Sequence, residues 1–334
     1  MGRRSLKLVG VLPCLLFLTS VVVQWGPPPV EAQPPKPVEL PRTITFVVPF
    51  AAGGGVDIQT RLVARHLPKY LPGLAEALVQ NEVGAGGRAA IQRVVRSKPD
   101  GSLVGSTYTP DALGNQAAYG AEAGYDFSKV MLLASTYHQP YSISAGPKSP
   151  YKTLTDLKNA GKPISFCATG GIDIAYAVIA GKEVGFPVRL VPGYKGAPVA
   201  TAAMLRGDCE AISFGLEFTD RFLKEGVRPI ALHAAERSKL WPDVATSKEQ
   251  GYPLELEISI VFFLAPGTSP DVTELFRGAL VKLYQDKEFT DAIRAARYTP
   301  TFGDATRTQE IVSGLTRLYS KYAADLREAL ARLQ

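Results

Sequence analysis

Cysteine and histidine, the residues from which many metal sites are built, are scarce in this chain. It has three of each in 334 residues. The histidines, His66, His138 and His233, lie far apart, and no His-x-x-x-His or Cys-x-x-Cys spacing occurs. These absences exclude the common zinc-binding patterns. We therefore predict no metal site and no cofactor.

The N-terminal apolar run is too short to span a membrane. It covers residues 8–23, which is 16 residues interrupted by Pro13, whereas a span needs about 20. The basic residues before it and the segment Val30-Glu31-Ala32 after it are typical of a secretory signal cleaved near Ala32. We predict a signal peptide over residues 1–32, a proline-rich leader over residues 33–42 and an exported, soluble protein.

Neither sign of charge dominates the sequence. The 37 Lys and Arg residues and 31 Asp and Glu residues give a formal net charge of +6, and the signs alternate in segments such as Arg221-Phe-Leu-Lys224-Glu225. A nucleic-acid binder would show a basic cluster with interleaved aromatic residues. We predict that nucleic acid is not a partner and that these charges lie in solvent.

The familiar catalytic and nucleotide-binding motifs are also absent. No Gly-x-Ser-x-Gly elbow occurs. The glycine loop near residue 53 lacks a Gly-Lys-Ser/Thr ending, and Ile58 stands where the third glycine of Gly-x-Gly-x-x-Gly would fall. One enzymatic alternative stays open, a hydrolase or isomerase that uses Asp57, Asp173 and Tyr194 as acid and base groups.

Residues 43–61 carry the strongest positive signal. Residues 44–48 are suited to a buried strand, Gly53 to Gly55 allow a sharp turn, and an amphipathic helix follows with Asp57 in its first turn. Backbone N–H groups at such a helix start can hold a carboxylate or phosphate, although a plain tight turn would have the same pattern. The residues predicted to contact a ligand here are Phe50, Ala51, Gly53, Gly54 and Asp57.

Strand-like and helix-like runs alternate along the rest of the chain and predict an α/β fold with mostly parallel sheets. A second strand over residues 77–79 leads to a glycine loop that contains Gly86. A third strand, over residues 103–108, ends at Thr109. Ligands in open α/β sheets gather at the carboxyl ends of strands, so Gly86 and Thr109 are also predicted to line the site.

Several ordered blocks resemble the Bug-type receptors of tripartite tricarboxylate transporters. The blocks are VVPFAAGGGVDIQTR, VQNEVGAGGRAA, KPDG, VPGYKGAPVATAAMLRGDCEAISFG and FFLAPGTSP. The resemblance implies a periplasmic solute-binding protein that is not an enzyme, binds a small carboxylate and serves membrane permease subunits. We expect a monomer. A second output stays open, in which the same clamp signals to a membrane sensor.

The resemblance also implies a two-domain periplasmic binding protein fold, type II-like, with two crossover hinge strands. We place the crossovers near residues 137–145 and 258–266. Domain 1 is then discontinuous, with residues 43–138 and 262–334, and domain 2 has residues 139–261. Closure of the two domains on a ligand is the expected motion.

A second loop of the same type is predicted in domain 2, between a strand over residues 164–168 and a helix over residues 172–184. Thr169, Gly170 and Gly171 form the turn, and Asp173 stands where similar receptors carry serine. An ionised aspartate accepts hydrogen bonds and repels a second anion. We hypothesise that Asp173 selects an amino acid or related zwitterion. The alternative is a helix cap turned toward its own backbone.

Three further expectations concern domain 2 and the C-terminus. Tyr194 matches the family's Tyr-x-Gly turn and is predicted to donate across the cleft, with Lys195 beside it as a weaker candidate. Cys167 and Cys209 are predicted as a possible disulfide pair, since export favours oxidation, with the distance between them left open. The apolar stripe over residues 315–330 predicts a last helix packed on domain 1.

Overall fold

The computed structural model describes residue 2 and residues 40–331. The predicted signal peptide, apart from residue 2, and most of the predicted leader lie outside these residues. Within the described residues, no helix is long and apolar enough to cross a membrane.

Strands and helices alternate through most of the described chain. The strands, in chain order, are β1 Thr43–Val48, β2 Glu76–Asn81, β3 Leu103–Tyr108, β4 Met131–Ala145, β5 Ile164–Cys167, β6 Val188–Val191, β7 Ala211–Gly215, β8 Arg228–His233, β9 Glu257–Leu264 and β10 Phe302–Gly303. The α-helices are α1 Gly55–His66, α2 Arg88–Val95, α3 Thr109–Tyr119, α4 Leu154–Lys158, α5 Ile172–Val184, α6 Ala197–Arg206, α7 Leu216–Asp220, α8 Pro270–Gln285, α9 Lys287–Ala295, α10 Ala305–Lys321 and α11 Ala323–Ala331.

One part of the sheet is built around β1, whose apolar residues are buried as their β-branched and aromatic side chains favour. β1 lies between β2 and β3 and is parallel to both. β9 pairs antiparallel with β3, and β4 pairs antiparallel with β9. The carboxyl ends of β1 and β3 therefore lie at the same edge, and the loops that follow them lie close together.

The other part of the sheet is built around β5, which is parallel to β6 and β7. β7 and β8 both pair antiparallel with the last five residues of β4, from Tyr141 to Ala145. The earlier residues of β4 pair with β9 and β10 instead. The 15 residues of β4 thus contribute to both parts of the sheet.

The prediction of mostly parallel sheets is wrong. Every antiparallel pair in the described chain involves β4 or β9. β4 contributes to both parts of the sheet, and β9 lies between β3 and β4. The alternation of strands and helices in the sequence does not indicate the direction of such strands.

β4 is irregular where it passes from one part of the sheet to the other. Its pairing with β9 shifts register between Thr136 and Gln139. Tyr137, inside that shift, has a φ of 55°, which is uncommon for a residue other than glycine. The register shift and the left-handed residue mark a local break in the strand.

The C-terminal stripe forms two helices instead of one. α10 ends at Lys321, and α11 begins at Ala323. Lys182 of α5 forms an ion pair with Asp325 of α11, with 2.6 Å between Nζ and Oδ1. α10 and α11 both pack on α3, an element of predicted domain 1, and α11 also contacts α5 of predicted domain 2.

Candidate ligand-binding site

The loop between β1 and α1 is held by a buried carboxylate. Asp57 is 2% exposed and accepts hydrogen bonds from the Gly53 backbone N–H at 2.8 Å, Asn81 Nδ2 at 2.8 Å and Arg61 Nε at 3.0 Å. Burial by itself raises the pKa of Asp57, but the hydrogen bonds from Arg61, Gly53 and Asn81 outweigh burial and hold the pKa below its ordinary value. The carboxylate of Asp57 therefore shapes the loop.

The start of α1 keeps its backbone donors open. The helix begins its own hydrogen bonding at Ile58 N–H, so the N–H groups of residues 55–57 have no acceptor within the helix. An ideal Cβ at Gly55 would lie 2.8 Å from Oη of Tyr108 and 3.6 Å from Oη of Tyr298. Two phenol hydroxyls thus converge on this point. Together with the positive end of the helix dipole, these donors suit a carboxylate.

Gly55, Val56, Tyr108 and Tyr298, which carry four of these donors, line a cleft of ≈ 1100 Å³. The aromatic residues in its wall are Phe50, Tyr108, Tyr119, Tyr137, Tyr141, Phe214, Phe218 and Tyr298. The predicted site residues that line it are Phe50, Gly53, Gly54, Gly86, Thr169, Gly170, Gly171 and Asp173. A concave, mostly apolar cavity with a few placed polar groups is typical of a small-molecule site.

Three predicted residues of the first region do not line this cleft. Ala51 is exposed on its loop. The carboxylate of Asp57 is hydrogen-bonded to Gly53, Asn81 and Arg61, as described above. Thr109 is 1% exposed, and its Oγ1 donates to the backbone oxygen of Ser259 at 3.1 Å. Thr109 therefore ties the start of α3 to β9.

Tyr194 does not line the cleft either. It packs, half-buried, against a small apolar cluster that contains Cys167 and Cys209. The structure joins these two cysteines by a disulfide bond, with their Cα atoms 5.6 Å apart. This distance is ordinary for a disulfide. Asp57, Asp173 and Tyr194, the acid and base groups of the enzymatic alternative, are therefore not brought together around the cleft.

The loop before α5 repeats the arrangement of the first loop. The side chain of Asp173 is 5% exposed, and Oδ2 accepts from the backbone N–H of Thr169 at 2.6 Å and from its Oγ1 at 3.2 Å. Gly170 and Gly171 have φ values of 129° and 62°, which disfavour any side chain. Burial raises the pKa of Asp173 to about 6, against the lowering effect of the Thr169 hydrogen bonds. Asp173 thus holds its own loop and also lines the cleft.

Asp111, which the sequence patterns did not single out, reaches the start of α5. It lies in the first turn of α3 and lines the cleft. An ideal Cβ at Gly171 would lie 2.5 Å from Oδ1 of Asp111. Burial and the charge of Asp173 raise the pKa of Asp111 to about 8, although a hydrogen bond from the Ile172 N–H acts in the opposite direction. Its position just after the end of β3 is the signal that could have indicated it.

Two arginines also line the cleft, and neither was predicted. The guanidinium of Arg88 lies 4.0 Å from the ring centroid of Tyr119, and that of Arg221 lies 5.9 Å from the ring centroid of Tyr298. Arg221 was assigned to solvent because the charges around it alternate in sign. Arg88 directly follows the loop that holds Gly86, which is the signal that could have found it. Guanidinium groups of this kind can pair with carboxylates.

No cluster of His, Cys, Asp and Glu side chains within residues 40–331 is arranged to hold a metal ion. His233 is buried, with its Nδ1 2.6 Å from Oγ of Ser247. Burial lowers its pKa to about 3, so the imidazole is neutral at physiological pH.

Comparison with known proteins identifies similar sequences over most of the chain. The family model TctC, "Tripartite tricarboxylate transporter family receptor", matches residues 60–317. Protein BugT of Bordetella pertussis is 26% identical over 311 residues, which cover 88% of this chain and 91% of BugT.

Solved structures agree in fold. A TctC solute-binding protein from Polaromonas, without ligand, has a TM-score of 0.70 and 22% identity, over 87% of this chain and 98% of that chain. R. palustris Rpa4515 with adipate has a TM-score of 0.70 and 21% identity, over 87% of this chain and 98% of that chain. The chain thus has the α/β fold of the periplasmic solute-binding proteins.

Proposed function

Because the chain belongs to the family of tripartite tricarboxylate transporter receptors, we propose that it is a periplasmic receptor. It captures a small carboxylate in the cleft and delivers it to the membrane permease subunits of a tripartite transporter. The family consists of solute-binding receptors for small carboxylates, which are not enzymes. The observation that carries the proposal is the open start of α1 within the cleft.

The ligand's carboxylate binds at that helix start. The N–H groups of Gly55 and Val56 and the hydroxyls of Tyr108 and Tyr298 all belong to residues that line the cleft. Asp57 supports this subsite indirectly, since its bond to Gly53 fixes the turn that aims the donors. Hydrogen bonds to a charged acceptor each contribute about 1.5–3 kcal/mol, so a few of them account for micromolar binding.

Two domains close on the ligand as a hinged clamp. Domain 1 comprises residues 43–138 and 262–334, and domain 2 comprises residues 139–261. The change of partners along β4 supports this division, because the strand pairs with β9 as far as Pro140, across the break at Tyr137, and with β7 and β8 from Tyr141 onward. A strand break of this kind is a suitable place for a hinge. The receptor acts as a monomer.

The test is calorimetric titration of the purified protein, freed of carried-over ligand, with mono-, di- and tricarboxylates and amino acids. We expect at least one acid to bind, and Tyr108→Phe to weaken it about tenfold or more, since one hydrogen bond to a charged group is lost. Tyr151→Phe is the matched control, because the Tyr151 hydroxyl lies 3.5 Å from Glu210 and does not line the cleft. Absence of binding for every acid would overturn the proposal.

A further inference from the structure

The start of α5 already holds a carboxylate of the chain itself. Asp111 extends from α3 so that its Oδ1 occupies the space beside Gly171, 2.5 Å from where a Cβ would stand. Its carboxylate accepts a hydrogen bond from the Ile172 N–H. A ligand carboxylate would seek the same donors. The starts of α1 and α5 therefore differ, because the first is open and the second is filled.

Asp173 places a second carboxylate beside the first. The charge of Asp173 acts on Asp111, and both residues line the cleft. Among the charged residues that the structure describes, no lysine, arginine or histidine forms an ion pair with either carboxylate. Two acids at one end of a ligand cleft, without a cation from the chain, disfavour an anionic ligand group and favour a cationic one.

The protonation of the pair agrees with this geometry. Burial raises the pKa of Asp111 to about 8 and that of Asp173 to about 6. At neutral pH the empty pair therefore holds about one proton and about one negative charge. One positive charge on the ligand balances this negative charge, whereas a ligand carboxylate at this end of the cleft would add to it.

We propose that the ligand carries one carboxylate, which binds at the start of α1, and one ammonium or guanidinium group, which pairs with Asp111 and Asp173. The inference rests on the proposed function, because it concerns the other end of the same cleft. It excludes dicarboxylates such as the adipate found with R. palustris Rpa4515 as preferred ligands. Asp111 is thus the residue that distinguishes this cleft from one that grips a carboxylate at both helix starts.

Ligands of equal length and different charge test the proposal. The five-carbon set is norvaline, 5-aminopentanoate, pentanoate and glutarate, and the six-carbon set is norleucine, 6-aminohexanoate, hexanoate and adipate. In calorimetric titrations we expect an amino acid of one set to bind at least about tenfold more tightly than the dicarboxylate and the monocarboxylate of that set, as expected for one added charge pair. A dicarboxylate that binds as tightly as the amino acid, with its second carboxylate on Arg88 or Arg221, would overturn the inference and leave the proposed function standing. Absence of binding for all eight acids and for every acid of the titration panel in the proposed function would overturn both.

Variants of Asp111 should lose affinity for amino acids and gain affinity for dicarboxylates. Asp111→Ala frees the Ile172 N–H, so we expect amino-acid affinity to fall about tenfold and dicarboxylate affinity to rise. Asp111→Asn keeps the shape and should show the same loss for amino acids if the alanine variant does not fold. Glu310→Gln is the control, since the Glu310 side chain is 61% exposed and lies outside the cleft lining. An unchanged preference in both Asp111 variants would refute the role of this residue.

Proton release on ligand binding tests the pairing of the cation with Asp111 independently of the variants. A bound cation favours the ionised form of Asp111, so binding at pH 7 should release protons and amino-acid affinity should rise between pH 6 and pH 8, the range bounded by the pKa values of the pair. Titrations in two buffers with different heats of ionisation count the protons. A pH-independent affinity for the amino acid would contradict the pairing.

Other ionisable groups near Asp111 do not mimic this signal. Asp173 is the acid beside it, and the cation of Arg88 acts on the neighbouring Tyr125. Burial, with the charge of Asp111 as a smaller contribution, raises the pKa of surrounding tyrosines so that they stay neutral through this range; they are Tyr108, Tyr125, Tyr141, Tyr176 and Tyr319.

Discussion

Replacing Gly55 by alanine should abolish most carboxylate binding while leaving the fold intact. Gly55 is the first residue of α1, and it is not among the glycines with a positive φ. An alanine therefore fits the backbone. Its methyl group, however, would stand 2.8 Å from Oη of Tyr108, which is closer than a carbon and a hydroxyl oxygen can approach without displacement. The methyl group also points into the space where we place the ligand's carboxylate.

The size of the effect follows from the hydrogen bonds that are lost. The methyl group displaces either the Tyr108 hydroxyl or the bound carboxylate, so at least one hydrogen bond to a charged group is lost. That loss costs about 1.5–3 kcal/mol, which raises the Kd by roughly 10- to 150-fold. Stability in the absence of ligand should change little, because a helix accepts alanine more readily than glycine.

Isothermal titration with the best-binding acid measures the Kd, and urea unfolding without ligand measures the free energy of unfolding. Gly278→Ala is the matched control, since Gly278 lies in α8 and an ideal Cβ there meets nothing within 4 Å. We expect the control to keep the wild-type Kd and to gain about 0.5–1 kcal/mol of stability. A Gly55→Ala protein that binds with the wild-type Kd would refute the placement of the carboxylate at this helix start.

Three further predictions concern stability. Reduction of the Cys167–Cys209 bond, which closes a sequence separation of 42, should lower the free energy of unfolding by about 2–4 kcal/mol in urea titrations with and without reductant. Gly105→Ala should cost about 1–3 kcal/mol or more, because its Cβ would overlap the ring of Phe263; wild-type stability in this variant would contradict the packing. The pKa of Asp57 lies below its ordinary value of 3.8, so its contribution is present above that pH and lost as the pH falls through the lowered value; unfolding measured against pH should show a smaller acid loss in Asp57→Asn.

Local patterns predicted the elements near the cleft well. The strand over residues 103–108 and the helix over residues 172–184 have the predicted bounds. Each is delimited by a turn signal and is largely buried, so short-range preference and tertiary packing agree. The glycine loops that precede α1 and α5 were also predicted from local patterns, and both line the cleft.

Side-chain direction could not be predicted in the same way. Asp57 stands at a helix start, as its position indicated, but Asn81 and Arg61 turn its carboxylate into the loop. Asp111 and Arg221 reach the cleft only because elements distant in sequence are packed together. Such contacts depend on how the parts of the sheet are placed, and a single sequence contains no local pattern for them.

The most direct measurement is a crystal structure of the protein with the acid that binds most tightly in the titrations. We expect a carboxylate of that acid within about 3 Å of the backbone N–H groups of Gly55 and Val56. The hydroxyls of Tyr108 and Tyr298 should lie against the same carboxylate. A ligand whose carboxylate binds away from the start of α1, for example on Arg88, would contradict this placement.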